Sequence, residues 1–285
     1  MKVNHQSYYN PKAIIESDPV EIITQGFIRI NSVLKYLDEK NSSILEDYTL
    51  NLEKIFTKEA GDFQVKKIQF DLESLTTDFV LLNRFPRLKE LVFLSMCKRL
   101  NLPKDYQKGQ NKTKIILLNE MQARFHISFY RVRSFVDIMG REKGIEYWKK
   151  YVFDTMTEYT QNLEKEIFKP IKEKFSDIEL ENWGKIGSQD FTVVIYDENK
   201  AYMKINRCIV HEAFKEFNDS ELSYLSYCYT GSVEDRMNNQ TWRRKTPITL
   251  FQDRGFCIEF FYNNSVYPDA EPPSLETAIK ETERT

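Results

Sequence analysis

An α+β fold is predicted, with an N-terminal helical region packed on a C-terminal antiparallel sheet that carries helices on one face. Three observations lead there. Apolar residues recur every three or four positions from Ile22 to about Phe168, the spacing of one buried helical stripe. After Trp183-Gly184 the pattern changes to runs rich in β-branched and aromatic residues, which suit a pleated, half-buried surface. Those runs and the helical spacings between them follow the order β-β-α-α-β-β, which suggests an antiparallel sheet covered by helices.

Residues 1–18 read as an irregular arm punctuated by Pro11 and Pro19. Asp18-Pro19-Val20-Glu21 is a helix start, because Asp can cap free amides and Pro fits the first turn. Ile22, Ile23, Phe27, Ile30, Val33, Leu34 and Leu37 then repeat at helical spacing. A second helix is predicted from about Ser43 through Phe56. Phe70 to Leu82 leans helical and is interrupted at Phe85-Pro86, and Arg87 to Leu100 is a helix that ends before Pro103. Leu118, Met121, Phe125, Phe129, Val132, Val136 and Met139 form the longest stripe, stopped at Gly140. A further helix runs from Lys143 to about Phe168, ahead of Pro170.

In the second half, Phe191 to Tyr196 is a strand, Asp197-Glu198-Asn199-Lys200 a turn, and Ala201 to Ile205 its hairpin partner. Cys208 to Phe217 returns to helical spacing, and Asp219-Ser220-Glu221 starts a helix carrying Leu222, Leu225 and Cys228. Thr246 to Phe251 and Phe256 to Tyr262 read as two strands around Asp253-Arg254-Gly255. The organisation expected is a helical region over 1–110, linking helices over 111–182, a small-molecule domain over 183–263 and a loose tail over 264–285.

Composition narrows the function classes. The chain has 285 residues, 41 Lys+Arg against 43 Asp+Glu, so there is no basic footprint for nucleic acid. No apolar run reaches the roughly 18 residues of a membrane helix, and Met1 to His5 leads into polar residues rather than a secretory signal. Four scattered cysteines read as thiols in a reducing compartment, which makes the cytoplasm the expected location. Gly184-Lys185-Ile186-Gly187-Ser188 lacks the spacing of a phosphate loop, and no cofactor is called for. The partner expected is a small-molecule substrate, with neither nucleic acid nor membrane. The amphipathic helices of 1–110 also suit a homodimer.

Chemistry concentrates between Cys208 and Cys257. On a helix, Cys208, His211 and Glu212 would converge on one side, with Cys228 on the next helix and Cys257 on the last strand. Three readings stand side by side. The cysteines can be core residues. Cys208, His211, Cys228 and Cys257 can be a metal set, although they lack the paired short loops of zinc modules. A thiol assisted by His or Glu can be a nucleophile, with Glu212 alternatively a general base toward water. Outside this segment, His126 beside Arg124 and Arg131 reads either as a ligand contact in a groove between the regions or as a structural histidine.

Arg207-Cys208-Ile209-Val210-His211-Glu212-Ala213-Phe214, then Glu221-Leu222 and Cys228, then Thr246 through Leu250, then Gly255-Phe256-Cys257-Ile258-Glu259-Phe260 resembles the signature of the L-2-amino-thiazoline-4-carboxylic acid hydrolase family. The resemblance is clearest over 188–262 and extends to about 113, where Met139-Gly140-Arg141-Glu142-Lys143-Gly144 is similar to a family helix junction. It implies hydrolysis at a non-peptide C–N bond of a cyclic amidine, with the thiazoline ring opened. It further implies Cys208 or Cys257 as nucleophile, with Cys228 as the family's second cysteine. Glu212 with His211 would move the proton, and Arg243 or Arg244 would hold the substrate carboxylate; apart from the resemblance, His126 and Arg124 are candidate substrate contacts. One departure stands out: the family pattern has an acid soon after the second cysteine, whereas Cys228 is followed by Tyr229-Thr230-Gly231, and Glu234 is the first acid. That departure and the long N-terminal extension point to a different substrate or reaction, such as a non-hydrolytic biosynthetic step on the same scaffold. A helical cluster before a sheet-and-helix unit equally suits a small-molecule-binding regulatory protein without turnover.

Overall fold

The computed structural model describes residues 1–64, 72–102, 112–162, 170–238 and 241–283. It is an α+β chain that divides into two units, Lys12–Tyr151 and Met1–Pro11 with Val152–Thr285. The expected division at residue 110 is therefore corrected twice. The helical unit runs on to Tyr151, and the first eleven residues belong with the C-terminal sheet.

Those first residues form strand β1 (Lys2–Gln6), antiparallel to a strand nearly two hundred residues later. The helical unit then opens with β2 (Ile14–Ser17), so the expected irregular arm contains two strands. Helix α1 (Pro19–Lys40) starts where predicted. The Asp18 carboxylate accepts from the Val20 and Glu21 amides at 2.9 and 3.2 Å, and its seven predicted stripe residues are all fully buried. Then come α2 (Leu45–Ala60), two short turns α3 (Leu72–Thr76) and α4 (Val80–Asn83), and α5 (Pro86–Leu100). The helical prediction from Phe70 begins outside the described residues. Strand β3 (Thr113–Ile116) pairs antiparallel with β2. The long helix α6 (Leu117–Met139) ends at Gly140, whose φ of 82° suits glycine. Helix α7 (Arg141–Asn162) follows, and its expected continuation to Phe168 lies outside the described residues.

In the C-terminal unit, α8 (Ile171–Lys174) and α9 (Asp177–Lys185) precede the hairpin β4 (Gln189–Asp197) and β5 (Lys200–Cys208). Three helical pieces follow: α10 (Ile209–Phe214), α11 (Ser220–Ser226) and α12 (Cys228–Asn238). Strands β6 (Trp242–Ile248) and β7 (Cys257–Asn263) complete a five-stranded antiparallel sheet in the order β1-β4-β5-β7-β6. Strand β6 begins earlier than expected because Arg243-Arg244-Lys245 does not look like a strand by composition. As the outermost strand it accommodates charge, which also protects an edge from unwanted pairing.

Both faces of the sheet are covered, not one. Phe191, Val193, Ala201, Met203, Ile205 and Phe261 pack with Ile171, Phe175 and Leu180. On the other face, Val194, Tyr202, Ile258, Phe260 and Tyr262 pack with Ala278. Ala278 belongs to α13 (Leu275–Thr282) in the segment expected to be a loose tail. This helix is capped by the Ser274 hydroxyl and held by Tyr196 and Tyr202, whose hydroxyls donate to the Glu281 carboxylate at 2.8 and 3.0 Å. Its charged composition conceals a narrow apolar side that only the sheet completes. Among the described residues no helix is long and apolar enough to cross a membrane.

Candidate active site

The sheet end where β5 stops and β7 starts collects the cysteines. Cys208 is the last residue of β5 and the N-cap of α10, with extended backbone (φ −139°, ψ 129°). It is therefore not a helical residue, and the three-and-four spacing to His211 and Glu212 does not align their side chains with it. Gln189 sits opposite in the β4–β5 register, with Nε2 4.0 Å from Sγ. The Val210 and His211 amides pull the Cys208 pKa down, as amides at a helix start do for a thiolate. Burial pushes harder the other way, and the net shift is upward.

Cys257 opens β7 and lies opposite Ile205 on β5. Its Sγ accepts the Leu250 amide at 3.1 Å. Burial, reinforced by Cys208 and Glu259, pushes its pKa up to about 12. Cys228 starts α12 immediately after the chain breaks helix at Tyr227. Burial raises its pKa well above the usual thiol range, Cys208, Cys257 and Glu259 add to the rise, and Arg244 opposes it. The three cysteines thus lie within electrostatic reach of one another, each a protonated thiol at neutral pH.

One carboxylate is common to all three. Glu259 raises the pKa of Cys208, Cys228, Cys257 and the half-exposed Tyr227. It follows Cys257 by two residues, which puts both on the same face of β7. Arg244 stands opposite Phe261, diagonally across from Glu259, and its Nη1 lies 3.4 Å from the carboxylate. On the other side of Cys208, the Tyr9 ring lies 4.9 Å under the Arg207 guanidinium. Its hydroxyl is pushed up to about 12 by burial, then by Glu212 and Cys208, with Arg207 opposing.

The other predicted residues go elsewhere. The His211 ring packs edge-on against Phe251 at 5.1 Å, and burial followed by Lys215 lowers its pKa. Glu212 pairs with Lys215 at 2.7 Å. Arg243 and Arg244 are adjacent on a strand and so point to opposite faces; the Arg244 charge acts on Cys228, while Arg243 pairs across from Tyr262. The substrate-contact reading of His126 is corrected. The ring is fully buried in α6, with Nε2 3.0 Å from the Ser95 hydroxyl and Nδ1 3.1 Å from the Gln122 carbonyl. Arg124 is committed to Glu120 at 2.8 Å. The Glu234 side chain lies outside the described residues. Among the described residues, no group of three or more His, Cys, Asp or Glu side chains is placed to hold a metal ion.

Sequence reasoning missed Glu259, Tyr227, Gln189 and Tyr9. Glu259 had a signal, since Cys257-x-Glu259 on one strand must share a face. The other three depend on strand pairing and on the fold of the N-terminal segment. Comparison of the chain with family models, with curated proteins and with solved structures gives no match.

Proposed function

We propose that the C-terminal unit is an enzyme for a small, amino-acid-derived molecule, and that it opens a cyclic amidine of the thiazoline type at a C–N bond. The observation that carries this reading is the convergence of three thiols on one arginine–carboxylate pair, Arg244–Glu259. An amidine carbon needs a nucleophile, the departing nitrogen needs a proton, and the substrate carboxylate needs a cation. Cys208, beside the Val210 and His211 amides, supplies the sulfur. Glu259 accepts the thiol proton and returns it to the departing nitrogen as the C–N bond breaks. A water then attacks the sulfur-bound carbon, Glu259 taking its proton and passing it to the Cys208 sulfur as the S–C bond breaks, which is general base and general acid work by one group. Arg244 takes the substrate carboxylate through a charge-assisted hydrogen bond.

The raised thiol pKa values fit this scheme only when substrate is bound. An amidinium next to the thiols would lower them, since an opposite charge favours the ionised form, and the free protein would keep its cysteines protected. The resemblance carried by Cys208, Cys228 and Gly255-Phe256-Cys257 supports the same substrate class. A reducing cytoplasmic setting suits four free cysteines.

The same raised pKa values favour a second reading, a binding protein that retains the scaffold without turnover. Incubation of the protein with 2-amino-thiazoline-4-carboxylate, followed by chromatography of the ring-opened product, separates the two. Turnover that is lost in Cys208→Ser and Glu259→Gln supports the enzyme. Saturable binding with no product from the wild-type protein rejects it in favour of the binding reading.

A further inference from the structure

A cavity lies along the β6 edge of the sheet. It has a volume of about 490 Å³, within the range of small-molecule sites. On the edge strand β6, Arg243 and Lys245 are two residues apart and so project from one face. Tyr262 stands opposite Arg243, and the Lys245 Nζ lies 5.6 Å from its ring centre. Arg244 also lines the cavity, with its guanidinium paired to Glu259. Asp269 and Glu271 also line it. Glu271 pairs with Lys245 at 3.0 Å but is 81% exposed. Such a pair contributes little, and a ligand anion can take its place.

We infer that this cavity binds a phosphate monoester, the phosphate held by Arg243 and Lys245. A phosphate presents three oxygens and close to two negative charges at neutral pH, which matches two cationic side chains two residues apart on one face of a strand. A carboxylate offers one charge in one plane and engages fewer of them. The inference goes beyond the thiol site, because it requires neither turnover nor a reactive cysteine.

Isothermal titration of the full chain with phenyl phosphate tests it, with benzoate as the comparison. The expected result is saturable binding of phenyl phosphate, and weaker binding of benzoate. Arg243→Ala should weaken phenyl phosphate roughly tenfold or more, as loss of a charge-assisted contact does. Glu271→Gln should strengthen it several-fold. Cys208→Ser, which removes the proposed nucleophile, should bind as wild type does. Absence of saturable binding at millimolar phenyl phosphate would overturn the inference. So would unchanged affinity in both Arg243→Ala and Lys245→Ala, and benzoate binding as tightly as phenyl phosphate would overturn the phosphate assignment.

Discussion

Acidification should weaken the helical unit through a single buried ring. His126 is fully buried, and its pKa lies well below the ordinary histidine value, mainly from burial and then from the Arg99 charge. Its two contacts define a neutral tautomer: Nδ1–H donates to the Gln122 carbonyl, and Nε2 accepts from the Ser95 hydroxyl. When Nε2 takes a proton, Ser95 can turn its hydrogen to the Val92 carbonyl 2.8 Å away, so hydrogen bonding survives and desolvation remains as the cost. The unfolded chain binds this proton near pH 6.5 and the folded chain does not. Stability from this group is therefore complete above roughly pH 6.5 and is lost as pH falls, until the depressed folded pKa is reached. The loss is about 1.4 kcal/mol per pH unit for one proton. Urea unfolding of wild type and His126→Gln, at pH of about 7.5 and about 5.5, isolates the contribution. Trp148 fluorescence in a Trp183→Phe, Trp242→Phe background follows the helical unit, since this ring is fully buried there. The stability advantage of wild type should shrink by about 1.4 kcal/mol at the lower pH. Parallel pH dependence of the two proteins would refute the reasoning.

Three further outcomes follow from the packing and the charges. Gly144→Ala would set a Cβ 2.6 Å from the Val136 Cα and 2.7 Å from the Phe135 carbonyl carbon. Backbone cannot yield as a flexible side chain can, so thermal melting should report a loss of about 1–3 kcal/mol or more. Glu281→Ala leaves the Tyr196 and Tyr202 hydroxyls without their shared carboxylate; a loss of about 2 kcal/mol is expected, with faster proteolysis near α13. Glu259→Gln removes a charge that raises all three clustered thiols, so alkylation of each should accelerate, whereas Arg244→Met should slow that of Cys228.

The parts of the fold that were legible in the sequence are those stabilised by local pattern. Helix α1 carries its own cap and a one-sided stripe, and α6 ends on a glycine with positive φ. The β4–β5 hairpin has its turn between two β-branched, aromatic runs. Strand β1 and helix α13 were not legible, because neither has an identity apart from its partner. Lys2-Val3-Asn4-His5-Gln6 becomes a strand by pairing with Phe191–Ile195, and α13 is secured by Ala278 and Glu281 meeting the sheet. The same division holds at the site. Three cysteines in one small unit could be seen to share a neighbourhood. The extension of β5 through Cys208 could not, and that single boundary turns His211 and Glu212 away and leaves Glu259 as the central carboxylate.

The account rests on the thiol cluster being a protected site that substrate activates. Site-resolved alkylation by iodoacetamide against pH, read by peptide mass spectrometry with and without the thiazoline carboxylate, tests this most directly. The buried Cys97 serves as an unreactive internal control. Slow labelling of Cys208, Cys228 and Cys257 at neutral pH in the free protein is predicted, with the Cys208 rate altered by the ligand and Cys97 untouched. Fast labelling of any of the three near neutral pH without ligand, or rates indifferent to the ligand at all three, would contradict it.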